Sequence, residues 1–158
     1  MVNILFVCTG NICRSPLAEG ILRYKLKTVH LSACVDSCGF ESFHIGDNPD
    51  PRAQAVATRH GLDISAHRAR LFSNLDCDRF DMIYVMDSGH FRNVLKLSRN
   101  ESDRTKVDYI LNVLYPGQNL GVMDPWYHDN KAFEMVYLQL DKACERISQK
   151  LISETKQR

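Results

Sequence analysis

The sequence predicts a single α/β domain over residues 1–158, built as a four-stranded parallel sheet flanked by helices on both faces. A phosphate-binding loop is expected between the first strand and the first helix. Three observations lead there. Short apolar runs alternate with segments patterned at helical spacing, which is the rhythm of strand-helix-strand units. The first run, Ile4-Leu5-Phe6-Val7-Cys8, is continuous rather than alternating, as in a strand covered on both faces. The chain closes in a long amphipathic pattern. A length of 158 residues suits one domain that buries roughly 68–70% of its unfolded surface.

After the first strand, Ser15-Pro16 offers an N-cap with proline at the first helical position, and Leu17, Ile21 and Leu22 recur at helical spacing. Leu31 to Asp36 reads as the second strand. Gly46 to Pro51 is a loop, followed by a helix from about Arg52 to His60 that Gly61 stops. Phe80 to Met86 is the third strand, Gly89 to Leu97 a helix, and Lys106 to Leu111 the fourth strand. Tyr115 to Asn130, rich in Gly, Pro, Asn and Asp, reads as one long functional loop. From Lys131, the residues Phe133, Val136, Tyr137, Leu140, Cys144, Ile147 and Leu151 form an apolar stripe at i, i+3, i+4, i+7 spacing, expected to pack on the core.

Composition narrows the partners. Lys and Arg total 20 against 19 Asp and Glu, a net charge of +1, so no global field favours nucleic acid or an anionic membrane. No stretch approaches the roughly 18 apolar residues of a membrane span. Met1-Val2-Asn3 leads straight into the apolar run with neither the basic region nor the cleavage site of a signal peptide. Six cysteines are scattered over a 44% hydrophobic chain that needs no stapling, so reduced thiols in the cytoplasm are expected. The histidines are dispersed, there is no H-E-x-x-H, and Cys34 and Cys38 lack a second pair at zinc spacing, so neither a metal nor another cofactor is expected.

The segment that carries chemistry is Cys8-Thr9-Gly10-Asn11-Ile12-Cys13-Arg14-Ser15-Pro16, with C-x5-R spacing between strand and helix. A loop there can aim successive backbone N–H groups into one concavity, and the helix adds its positive end, so a phosphate-sized anion binds without lysine. Gly10 and Asn11 are residue types that tolerate the left-handed backbone such a nest requires. Cysteines at helix N-termini or beside arginine are more acidic than free thiols, which makes Cys8 the expected nucleophile. Arg14 presents a planar fork suited to two phosphoryl oxygens.

Val7 to Gly20, VCTGNICRSPLAEG, resembles the signature of the low-molecular-weight protein tyrosine phosphatases. The resemblance continues through Asp36-Ser37, Pro49-Asp50-Pro51-Arg52-Ala53, Ala66-His67-Arg68-Ala69-Arg70, Met86-Asp87 and Asp124-Pro125, in the family's order. It implies hydrolysis of phosphotyrosine and other aryl phosphate monoesters through a phosphocysteine, with Cys8 as nucleophile, Arg14 as clamp and Asp124 as general acid and base. Ser15 would donate to the Cys8 thiolate and Asp87 would orient Arg14. Asn11, Ser37 and His67 would hold the loop in shape, and Thr9, Gly10, Ile12 and Cys13 would complete it. Cys13 would also trap an oxidised Cys8 as a disulfide. The aromatic walls of the cleft would be Phe43, where the family often has tryptophan, and Trp126 and Tyr127, where it often has two tyrosines. A monomer acting on phosphotyrosine-bearing proteins or small aryl phosphates is expected.

Two other enzymes share parts of the pattern. Thiol-dependent arsenate reductases resemble the chain over CTGN-x-CRS but need a further redox cysteine pair, which Cys34, Cys38, Cys77 and Cys144 do not supply by position. Protein arginine phosphatases carry Thr where Ile12 stands and follow Asp-Pro with Phe-Gly rather than Trp126-Tyr127. A silent phosphotyrosine-binding module would keep the loop but lose nucleophile or acid, and Cys8 and Asp124 are both present.

Overall fold

A computed structural model describes all 158 residues. Strands β1 (Val2–Val7), β2 (Ala33–Cys38), β3 (Met82–Val85) and β4 (Val107–Tyr109) form one sheet in the order β2-β1-β3-β4, with every pairing parallel. Six helices complete the fold: α1 (Arg14–Thr28), α2 (Pro51–Arg59), α3 (Asp76–Arg79), α4 (Ser88–Leu97), α5 (Glu101–Thr105) and α6 (Asn130–Lys156). The predicted α/β class, strand count and covered faces all stand.

The continuous apolar run of β1 is explained by alternation between two cores. Ile4, Phe6 and Cys8 face the larger cluster, built with Leu17 and Ile21 of α1, Val56 of α2 and the α6 stripe of Phe133, Val136, Leu140 and Ile147. Leu5 and Val7 face the smaller cluster with Cys38, Ile83, Val85, Phe80 and Val94. Fully burying a side chain such as Phe6 contributes about 1.5–3 kcal/mol, so both faces of this strand anchor the molecule. The chain leaves β1 for β2 on one side and later returns to β3 on the other. The carboxyl end of β1 is therefore a switch point, where ligand crevices open in parallel sheets.

Several boundaries differ from expectation. Helix α1 starts at Arg14 with Cys13 in the cap position, not at Ser15-Pro16. Pro16 then lies in the first turn, where a missing N–H forfeits no helical bond. Strand β2 runs to Cys38 because its register follows β1 from Val2 to Val7, while Leu31 and Ser32 belong to the turn after His30, whose φ is +54°. Strand β3 is shorter than predicted, since Phe80 caps the unanticipated helix α3. Strand β4 gives way at Ile110 to a 3-10 turn. Helix α5 was also not legible, being too short for periodicity. Helix α2 starts one residue early, with Asp50 as its N-cap, and ends before Gly61, whose φ of +79° makes the expected stop. The long loop before α6 holds a 3-10 turn at Pro125–Tyr127, capped by Asp124.

Candidate active site

The loop from Cys8 to Arg14 sits at the switch point, and its backbone is sorted by polarity. Four of its carbonyls are taken by donors of the protein: Thr9 O accepts from Phe40 N and Glu41 N, Asn11 O from His67, Ile12 O from Asp50 N, and Cys13 O from Leu17 N. No protein acceptor takes the N–H groups of residues 9 to 15. Engaging those carbonyls and leaving a run of amides free produces an anion nest at the positive end of α1. Asn11, at φ +57°, supplies the left-handed turn. Gly39 permits the close approach of β2, because a Cβ there would stand 2.5 Å from Thr9 O.

A buried polar network holds this loop from behind. The Asn11 amide donates to Ser15 Oγ (2.8 Å) and Ser37 Oγ (2.9 Å), while its Oδ1 accepts from Arg70 N (3.0 Å) and His67 Nε2 (3.1 Å). His67 Nε2 faces two acceptor oxygens of Asn11 and so carries the proton. Ser37 passes its own proton to Glu19 (2.9 Å). Ser15 Oγ receives the Asn11 amide, lies 2.9 Å from Cys8 Sγ and can also donate to Cys38 O at 3.4 Å. Ser37 and His67 thus stand where expected. Asn11 is a loop residue whose fully buried side chain turns away from the cleft.

Arg14 is 2% exposed, and its fork is fixed on several sides. Its Nη1 donates to Val122 O (2.8 Å) and to Asp87 Oδ2 (3.3 Å), and its Nη2 to Thr9 Oγ1 (3.4 Å). Asp124 Oδ2 lies 3.6 Å from Nη2. Burial opposes ionisation of Asp87, but His90 and Arg14 overcome it and hold this carboxyl below its ordinary range. Asp87 is also the N-cap of α4, accepting from His90 N (3.1 Å).

A cleft of about 140 Å³ opens over the loop, lined by Cys8, Ile12, Cys13, Arg14, Asp124 and the expected walls Phe43, Trp126 and Tyr127. Asp124 is partly exposed at its mouth and accepts from Trp126 N (3.1 Å). Phe43 is 73% and Tyr127 83% exposed, so these two stand out into solvent at the rim, while Trp126 is 40% exposed. Cys13 is buried, and that burial, reinforced by Asp50, pushes its thiol well above the ordinary range. No group of three or more His, Cys, Asp or Glu is placed to hold a metal ion.

Four contributors were not identified from the sequence. Glu19, buried in α1, anchors Ser37 and stands 3.6 Å from His67 Nδ1. Its signal was a carboxylate between Ala18 and Gly20 in otherwise apolar turns. His44 lines the cleft over Gly10, where a Cβ would come within 3.0 Å of its ring. Arg52 ties the acid-bearing loop to α2, bonding Asp50 and the carbonyls of Trp126 (3.1 Å) and His128 (3.2 Å). His90 bonds Thr9 across the loop.

A nest of free amides, a thiol beside a hydroxyl, a fixed guanidinium and a carboxyl at the mouth together make a pocket suited to a phosphate-sized anion. The sequence profile described as low molecular weight phosphotyrosine protein phosphatase matches residues 3–157. The Schizosaccharomyces pombe protein of that description is 38% identical over 142 residues, covering 88% of this chain and 90% of its own. The human one is 35% identical over 151 residues, covering 94% of each. Among solved structures, the protein tyrosine phosphatase of Entamoeba histolytica with Hepes in its active site superposes with a TM-score of 0.90 at 30% identity, covering 98% of this chain and 99% of its own. Vibrio vulnificus Wzb in complex with benzylphosphonate gives 0.83 at 28%, covering 94% and 98%. The chain belongs to the low molecular weight phosphotyrosine protein phosphatase family.

Proposed function

We propose that this protein hydrolyses phosphotyrosine in proteins and small aryl phosphates by way of a cysteinyl phosphate. The observation that carries the reading is the unpaired run of amides at residues 9 to 15, ringed around Cys8 and backed by Arg14. That set matches the three equatorial oxygens of a phosphoryl group in transit. The Cys8 thiolate attacks phosphorus in line, while the Asp124 carboxyl gives its proton to the departing phenoxide. Water then attacks the phosphocysteine, the Asp124 carboxylate takes its proton, and the Ser15 hydroxyl stabilises the leaving Cys8 thiolate. Inorganic phosphate and the starting enzyme result. Asp87 orients Arg14, and Asn11, Ser37 and His67 keep the amides turned inward.

The aromatic side chains Phe43, Trp126 and Tyr127 that line the cleft support an aryl ligand, as does the benzylphosphonate of the Vibrio relative. The test is an assay of aryl phosphate, phosphoarginine and arsenate side by side. Aryl phosphate turnover should dominate and persist in chelator, because amides and Arg14 supply the charge stabilisation. Cys8→Ser should abolish turnover while still binding phosphate, since an alcohol stays protonated there. Turnover by that variant within tenfold of the parent, or dominant arsenate or phosphoarginine chemistry, would overturn the reading.

A further inference from the structure

The reaction above leaves one buried titratable side chain without a part. His90 lies in the first turn of α4, is 4% exposed, and faces the phosphate loop. Burial and the neighbouring Arg14 guanidinium push its imidazole down to about 4, against the pull of Asp87 and Asp124, so the ring is neutral at neutral pH.

Its hydrogen-bond partners decide which nitrogen holds the proton. Nε2 is 2.8 Å from Thr9 Oγ1, and the same oxygen receives Arg14 Nη2 at 3.4 Å. The hydroxyl oxygen can accept from the guanidinium and still give its own proton to His90 Nε2. The imidazole proton then sits on Nδ1, which lies 3.3 Å from Asp87 Oδ1 but off the line of a good hydrogen bond. The opposite tautomer would press a lone pair against that carboxylate. Asp87 Oδ2 accepts in turn from Arg14 Nη1, so guanidinium, hydroxyl and imidazole form a chain whose far end faces the same carboxylate without a hydrogen bond to it.

We propose that Thr9 and His90 are positioning residues for Arg14, fixing the plane of its guanidinium for the phosphoryl group. The inference rests on Arg14 being the phosphate clamp. Val122 O and Asp87 both hold Nη1, which by itself makes a pivot. The Thr9 hydroxyl catches Nη2 and stops rotation about that pivot. His90 orients the hydroxyl by consuming its proton. The donors then left for phosphoryl oxygens are Nε–H and the Nη2–H that faces Asp124. A guanidinium misplaced by about 1 Å can lose a hundredfold in rate.

Thr9→Val removes the hydroxyl at constant shape, His90→Leu removes both ring nitrogens, and His90→Gln replaces Nε2 with an amide that can still accept from Thr9. Kinetics on an aryl phosphate should show Thr9→Val and His90→Leu each losing about 10–100-fold in kcat/KM, mostly in kcat. Inhibition by orthovanadate, which takes the geometry of the transferring group, should weaken more than inhibition by inorganic phosphate. The double variant should be no worse than the weaker single, because both changes break one link. His90→Gln should recover to within a few-fold of the parent. Thermal melts run alongside separate loss of fold from loss of alignment, and Thr9→Val carries the test should His90→Leu not fold. Multiplying losses, unchanged vanadate affinity, or failure of His90→Gln to rescue would overturn the proposal. A parent that neither hydrolyses aryl phosphate nor binds phosphate would instead sink the clamp itself.

Discussion

Asn11→Ala is the sharpest test of how the loop is held. The substitution deletes four hydrogen bonds at 2.8–3.1 Å. It strands the Arg70 N–H as a donor behind the loop, while His67 Nε2–H keeps the Asn11 carbonyl. The stranded group costs about 1–3 kcal/mol, less where water enters the vacated space. Alanine must also adopt φ +57°, a conformation worth roughly 1–2 kcal/mol of strain for a residue with a plain Cβ. The expected loss is about 2–5 kcal/mol, a large part of the 5–15 kcal/mol that usually holds a domain together. Asn11→Gly loses the same bonds without the strain. It should therefore exceed the alanine variant by about 0.5–1 kcal/mol, the reverse of the order in regular structure, where glycine is the poorer residue. Urea unfolding at neutral pH reads both numbers, with kcat/KM measured on the folded fraction. A loss below about 1 kcal/mol for Asn11→Ala, or an alanine variant as stable as the glycine one, would refute the argument that Asn11 sets the loop's shape.

Three other outcomes are expected. Asp124→Ala should lower kcat on substrates with poor leaving groups by about 10²–10⁴ and spare good ones; a loss independent of leaving-group pKa would make Asp124 merely the cap of its 3-10 turn. After peroxide, peptide mapping should find a Cys8–Cys13 disulfide, formed faster as pH rises because burial keeps the Cys13 thiol protonated; no such peptide, or equal dithiothreitol recovery in Cys13→Ser, would leave Cys13 as packing. Because the His90 imidazole falls from 6.5 to about 4 on folding, its contribution is complete above pH 6.5 and is lost as pH falls towards 4, by about 3 kcal/mol at 1.36 kcal/mol per pH unit. Denaturation from pH 7 to 4 should therefore show a shallower decline for His90→Gln, and parallel curves would contradict the assignment.

What the sequence determined by itself is local. A continuous apolar run can only be a strand with two covered faces, and C-x5-R between strand and helix forces thiol, amides and guanidinium into one turn of chain. Cys8, Gly10, Asn11, Arg14 and Ser15 were legible because eight residues of backbone hold them together. The α6 stripe was legible because its period survives over many turns. Short elements such as α3 and α5 lack that length, and the ends of β2 to β4 are set by pairing partners rather than by their own residues.

Tertiary structure decided everything that reaches the loop from elsewhere in the chain. Asp124, Asp87, Ser37 and His67 came into view only through family resemblance, since Asp-Pro or a lone histidine has no chemistry until a partner is near. His44, Arg52 and His90 had no sequence signal that separated them from ordinary helix or loop residues, and Glu19 had only its place in otherwise apolar turns. His90 stands 81 positions from the Thr9 hydroxyl it orients, and Arg52 stands 74 from the carbonyl it holds. The interactions that give these side chains their roles act over about 3 Å. Chain order carries no distance on that scale, and only the packing of β1 between β2 and β3 brings the partners within it.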